Sequence, residues 1–173
     1  MGGPEETAGR QREGGSLLFL SANDGPESAL SFILLTLDEE SYAVEIGRVR
    51  EIIRVPRITR VPGAPGHVSG VINLRGTIVP VIELAVLLSL PAGDAGTKSR
   101  IVVVESDATP VGLIVDSVEG VAEVAPESVE PALRTLDDSQ RICLEGQVEI
   151  GGKIVGILDI DRVMDRARPG TDT

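Results

Sequence analysis

The chain has 173 residues, 16 basic and 27 acidic, with a net charge of -11 and 2% aromatic content. Such a charge repels nucleic acid, and Phe19, Phe32 and Tyr42 alone offer no stacking platform for bases. A chain of this length buries roughly two thirds of its unfolded surface, enough for one domain or two small lobes sharing a core. Cys143 is the single cysteine, so no internal disulfide can form, and it reads as a small buried hydrophobe. No apolar run reaches the roughly eighteen residues that span a bilayer, so a cytoplasmic protein without leader or anchor is expected.

Residues 1 to 29 are rich in Gly, Glu, Ser and Arg and carry one apolar patch, Leu17 to Leu20. They read as a flexible N-terminal arm, with docking of the patch on the body or on a partner as the alternative. From Phe32 the texture changes. Phe32 to Leu37 is a strand-length apolar run, closed by the acidic turn Asp38-Glu39-Glu40, and Tyr42, Val44 and Ile46 then alternate, so residues 32 to 46 read as a hairpin. Val49, Ile52 and Ile53 recur at helical spacing and predict one or two amphipathic turns. Pro56, Pro62, Gly63, Pro65 and Gly66 limit Ile58 to Val61 to a short strand at most.

The stretch Val68 to Leu84 places Arg75 between two apolar runs. Val68, Val71, Ile72 and Leu74 suggest about one helical turn, whereas Thr77 to Leu84 is a β-branched strand in which Pro80 implies an edge position or a bulge. Arg75 has two readings: a surface arginine beside a glycine turn, or a cation held by a carboxylate or by several carbonyls. A short helix completes the run to Leu90, and Pro91 to Gly96 is a loop. The second half opens with a hairpin over Ile101 to Val104 and Val111 to Val115. A mostly irregular stretch follows from Ala125 to Gln140. The chain closes with Ile142 to Ile150, the run Ile154 to Ile160, a short helix through Met164, and a frayed tail from Arg166.

The halves echo one another. Gly76 to Leu84 (GTIVPVIEL) reappears as Gly152 to Ile160 (GKIVGILDI), and Val44 to Glu51 has a looser counterpart in Ile114 to Glu119. Two copies of the order hairpin, connector, glycine, long strand imply two small β units that pack together.

Reactive constellations are thin. His67 is the only histidine, so a zinc site or a Ser-His relay would hang on it, and it reads as a solvated or helix-capping residue. No phosphate-binding glycine loop with its lysine occurs. Glu83 and Asp159 are equivalent in the echo and are the one acid pair that a small hydrolase would use; turn or cap roles suit them better. No catalytic residue, metal or cofactor is expected, and a binding module fits what remains.

The fifteen residues Gly70 to Leu84, GVINLRGTIVPVIEL, resemble the signature of the CheW family of chemotaxis adaptors, and residues 32 to 164 agree with its pattern. The resemblance implies a mainly all-β fold of two five-stranded SH3-like β-barrel lobes in pseudo-repeat with short connecting helices. It places a CheW-like domain at residues 30–165, the arm before it and a C-terminal tail at 166–173. It further implies a non-enzymatic adaptor that couples the cytoplasmic tip of a methyl-accepting chemoreceptor to the regulatory domain of a CheA-type histidine kinase, recruited to membrane-associated receptor arrays. A detached CheW-like regulatory domain of such a kinase is the alternative. Carried over by position, the receptor-binding groove is Val49, Gly70, Gly112 and Val121. Arg75 and Glu51 form an ion pair beside it, and Ile58 and Val61 are the candidates for kinase contact.

Overall fold

The computed structural model describes residues 18–21, 29–132 and 136–168, the first four through their backbone alone. Strands dominate: β1 (Leu18–Ser21), β2 (Leu30–Leu37), β3 (Glu40–Glu45), β4 (Val49–Arg54), β5 (Val68–Leu74), β6 (Thr77–Glu83), β7 (Arg100–Ser106), β8 (Thr109–Val115), β9 (Ser117–Val124), β10 (Leu144–Ile150) and β11 (Lys153–Leu158). Among the described residues three short helices join them: α1 (Leu84–Leu87), α2 (Asp138–Ile142) and α3 (Ile160–Ala167).

The strands form two sheets, ordered β1-β9-β2-β3-β11-β10 and β4-β7-β8-β6-β5. Leaving β1 aside, the second order is the first with each strand replaced by its equivalent from the other half. The echo in the sequence is thus a structural repeat, with one twist. Each five-stranded sheet takes its central hairpin, β2-β3 or β7-β8, from one half of the chain and its other three strands from the other half.

Each sheet is closed across its edges. The chain leaving β4 crosses to the far edge and bridges β5, with Thr59 and Val71 exchanging backbone bonds of 2.9 and 2.8 Å. The chain leaving β9 does the same to β10 through Glu130 and Gln147, at 2.8 Å both ways. Closure gives the central strands two faces to bury, one inside the barrel and one against the other lobe. Ile101 and Val103 fill one barrel while Val102 and Val104 join the core shared between lobes. In the same way Phe32 and Leu34 fill the other barrel, and Leu35 and Leu37 join the shared core. The continuous Val/Ile/Leu runs of the sequence follow from this double burial.

Two stretches expected to coil are strands instead. Val49 to Ile53 is β4, preceded by a single 3₁₀ turn at Ile46–Arg48, and Val68 to Leu74 is β5. Both carry a register shift, between Val49 and Glu51 and between Val68 and Gly70. An extra residue turns the two-residue alternation of a strand into a spacing of three, which imitates a helix. Pro80 lies on an interior strand, but pairing of β6 with β8 begins only at Val81, so the missing N–H falls just short of that ladder. At the C-terminus α3 runs through Ala167, beyond the expected boundary at 165, because Met164 and Ala167 are buried in the shared core.

Part of the arm lies among the described residues. Leu18–Ser21 pairs in parallel with Gly120–Glu123 of β9, so for these four residues the docking alternative applies. The remainder of residues 1–28 and residues 169–173 lie outside the described residues. Among the described residues no helix is long and apolar enough to cross a membrane.

Closure demands a glycine where the returning backbone passes. A Cβ on Gly70, whose φ is 146°, would sit 2.1 Å from the carbonyl oxygen of Thr59. Gly70→Ala is therefore expected to cost about 3 kcal/mol or more, through strain and loss of the bridge. Gly47→Ala, with open space around it, is expected to stay within about 0.5 kcal/mol of the parent. Urea unfolding midpoints of the two variants check both.

Candidate functional site

The site is built around an apolar cleft of about 680 Å³ between the lobes. One wall is the connector Val61 to Pro65. The floor is the face of the β4–β8 sheet turned to the other lobe, with Val68 and Val71 of β5, Pro80 and Ile82 of β6 and Val111 of β8. The opposite wall is the β7–β8 turn with Met164, Ala167 and Arg168 at the end of α3.

That wall is fastened at both ends. Near its start, the Asp161 carboxylate accepts from Arg48 Nη2 at 2.6 Å and from the Ser106 hydroxyl at 2.9 Å. Both donors hold this carboxyl below the usual carboxylate range, Arg48 the more strongly. Arg48 also donates through Nε and Nη2 to the Glu105 carbonyl, so one guanidinium ties the β3–β4 turn, the end of β7 and α3. At the other end His67 Nε2 lies 2.7 Å from the Ala167 carbonyl oxygen, one of the acceptors that a helix C-terminus leaves open. Of the two roles expected for His67, this is the helix-capping one.

The structure brings Arg75 and Glu51 together. Arg75 and Gly76, with φ of 52° and 85°, form the two-residue turn between β5 and β6, and the Asn73 side chain accepts from the Gly76 N–H at 2.8 Å. From this turn the guanidinium donates to both oxygens of Glu51, at 2.5 and 2.7 Å. Glu51 stands on β4 and Arg75 beside β5, the two outer strands of the sheet, so the pair clasps the barrel shut alongside the Thr59–Val71 bridge. Arg75 is at once the exposed arginine of a glycine turn and a paired cation, which unites its two readings.

The four positions carried over for a groove do not share one surface. Gly70 and Gly112 are buried, and a Cβ on Gly112 would come 2.6 Å from the Ile101 side chain inside the barrel. They adjoin the cleft through their strand neighbours, Val71 and Val111. Val49 begins β4 and packs against the shared core, and Val121 is on β9 in the other sheet. Ile58 packs against the barrel core, whereas Val61 is 42% exposed at the rim of the cleft. The cleft wall made by α3 escaped sequence reasoning, and of the connector wall it singled out Val61 alone; an amphipathic α3 next to a lone histidine 100 residues away gives no local signal of contact.

The acids do not form a catalytic pair. Glu83 is half-buried; burial raises its pKa, and the charge of Asp116, not of Asp159, adds to the effect. Asp159 instead caps α3, accepting from the Arg162 N–H at 3.2 Å. Burial pushes the Cys143 thiol up to about 11, which keeps it protonated and unreactive at neutral pH. Among the described residues no three His, Cys, Asp or Glu side chains are grouped to hold a metal ion.

Arg75 holds the Glu51 carboxyl below its ordinary value, mainly through the hydrogen bonds. A carboxyl with a lowered folded-state pKa stabilises the fold above its unfolded value, about 4.3, and that contribution disappears as pH falls through the folded pKa. Arg75→Ala is therefore expected to unfold at a lower temperature than the parent at pH 7, and the gap is expected to narrow as pH drops below about 4. Thermal melts of both proteins between pH 7 and pH 3 test this.

Comparison with known proteins agrees with this geometry. The CheW-like domain family matches residues 31–168. The chain is 31% identical to the chemotaxis protein CheW of Bacillus subtilis over 134 residues, covering 78% of this chain and 86% of that protein. It is 33% identical to CheW of Thermotoga maritima over 129 residues, covering 75% and 83%. The crystal structure of the scaffolding protein TtCheW from Thermoanaerobacter tengcongensis superposes with a TM-score of 0.72 at 31% identity, covering 80% of this chain and 89% of that one. Two closed five-stranded lobes in pseudo-repeat, the Arg75 hairpin and these likenesses lead to one conclusion: the chain belongs to the CheW-like family.

Proposed function

We propose that this protein is a non-catalytic adaptor that joins the cytoplasmic tip of a methyl-accepting chemoreceptor to the regulatory domain of a CheA-type histidine kinase in a chemosensory array. The observation that carries this reading is the inter-lobe cleft. An α-helix with its side chains is about 10 Å across, and an amphipathic helix binds by laying its apolar face into a groove of this character. The cleft is lined by Val68, Val71, Pro80, Ile82, Val111 and Met164, and its α3 wall is held in place before any partner arrives. Such preorganisation lowers the ordering cost of binding.

In this reading the receptor helix lies on β5, β6 and β8. Gly70 and Gly112 act beneath the surface by setting the positions of Val71 and Val111, and the Arg75–Glu51 clasp keeps β5 in place from the other side. Val49 contributes through the shared core on which the cleft rests, whereas Val121, on β9 of the other sheet, lies outside the cleft lining. The kinase contact is assigned to the connector, where Val61 is exposed and Ile58 anchors it from below. Recruitment to the membrane comes through the receptor.

Co-sedimentation with a receptor cytoplasmic fragment and a full-length CheA-type kinase, followed by a kinase assay, tests the proposal. The parent is expected to couple kinase activity to the receptor. Val68→Glu is expected to weaken receptor binding about tenfold or more, because it puts a charge on the apolar floor. Val61→Glu is expected to weaken kinase binding and to spare the receptor fragment, and Arg75→Ala to reduce coupling while the chain stays folded. If the parent binds neither partner, or if Val68→Glu and Arg75→Ala couple as the parent does, the proposal fails.

A further inference from the structure

The two barrels are clasped differently at equivalent places. In the β4–β8 sheet the edge strand β4 presents Glu51, and the β5–β6 turn answers with Arg75. In the other sheet the repeat places Gly120 of β9 at the position of Glu51 and Gly151 of the β10–β11 turn at that of Arg75. The turns are alike in backbone, with φ of 52° and 85° at Arg75-Gly76 and 59° and 82° at Gly151-Gly152. Two glycines, however, have no side chains with which to form an ion pair. The edge of β9 is occupied instead by a strand from elsewhere, since Leu18–Ser21 pairs in parallel with Gly120–Glu123, and Leu18 stands opposite Gly120 itself.

We propose that the Gly120–Glu123 edge of β9 is a strand-docking site whose resident occupant is the chain's own Leu18–Ser21. The segment takes the place that a side-chain clasp holds in the other lobe, and the ladder that pairs it with β9 is four residues long, short enough to exchange. An uncovered edge offers unpaired N–H and C=O groups to any extended segment, and the resident strand satisfies them. The connection favours occupancy within one molecule. Ser21 faces Glu123 on one side of β9, and Leu30 faces Val124 on the other, so the link must cross two strand spacings, about 10 Å. Residues 22 to 29 span up to roughly 26 Å when extended, which reaches without tension and holds the segment at roughly millimolar effective concentration. This inference is independent of the adaptor reading, because it concerns an edge in the opposite lobe from the cleft floor.

The test uses the full-length chain. Phe19→Pro with Leu20→Pro removes one of the two ladder donors whichever of the alternate residues faces β9, and the paired prolines disfavour the strand. Amide exchange of the β1-facing groups in Gly120–Glu123 is expected to quicken about tenfold or more, while the amides of β7 and β8 keep their protection. A peptide of residues 12–24, added in trans, is expected to bind this variant and restore protection at Gly120–Glu123; a scrambled peptide is expected to do neither. Unchanged exchange in the variant, or failure of the native-sequence peptide to restore protection, overturns the proposal. Should the variant lose protection throughout, the unmodified chain supplies the decision. The same peptide at several millimolar, near the effective concentration of the tether, is then expected to release the resident segment, read as about twofold or faster exchange at Leu18–Ser21. Exchange there that does not respond to the peptide overturns the proposal as well.

Discussion

The architecture depends on the crossing of a returning backbone over a glycine. Thr59 over Gly70 and Glu130 over Gly146 bring the first strand of each sheet round to its last, and in both places the glycine lacks the Cβ that would strike the crossing carbonyl. A five-stranded sheet left open would expose two edges and one apolar face. Closed, it has an interior of its own and can offer its other face to a neighbour. The shared core, the cleft and the strand runs with two buried faces all follow from that closure.

The hairpins exchanged between halves determine where the cleft lies. Because β7 and β8 belong to the sheet of β4, β5 and β6, the helix α3 that ends the second repeat packs over the sheet made mainly by the first. Arg48 and His67, both from the first half, then fix that helix at its two ends. The apolar floor, lined by Val, Pro and Ile, and the helical wall beside it are thus parts of one framework.

Much of this was legible from residues next to one another in sequence. The Arg75-Gly76 turn, the two hairpins, the repeat of GTIVPVIEL in GKIVGILDI and the dearth of reactive groups are local or compositional signals, and the pairing of Arg75 with Glu51 came from the family resemblance. What misled was also local. The extra residue in β4 and again in β5 gave Val49–Ile52 and Val68–Val71 the spacing of a helix. What stayed hidden was nonlocal: the exchange of hairpins, the contact of His67 with Ala167 and the parallel docking of Leu18–Ser21 join residues from about 30 to about 115 positions apart, and no periodicity records such a meeting.

The exchange of hairpins also bears on how the molecule is made. No barrel can be completed until both halves of the chain exist, because each lacks its central strands until the other half supplies them. A ribosome that has released only the first ninety residues therefore holds β2 to β6 without a finished lobe, and assembly must wait for the rest of the polypeptide. For the same reason, a single cut in the Pro91–Gly96 loop would leave two pieces interlocked rather than two separable lobes.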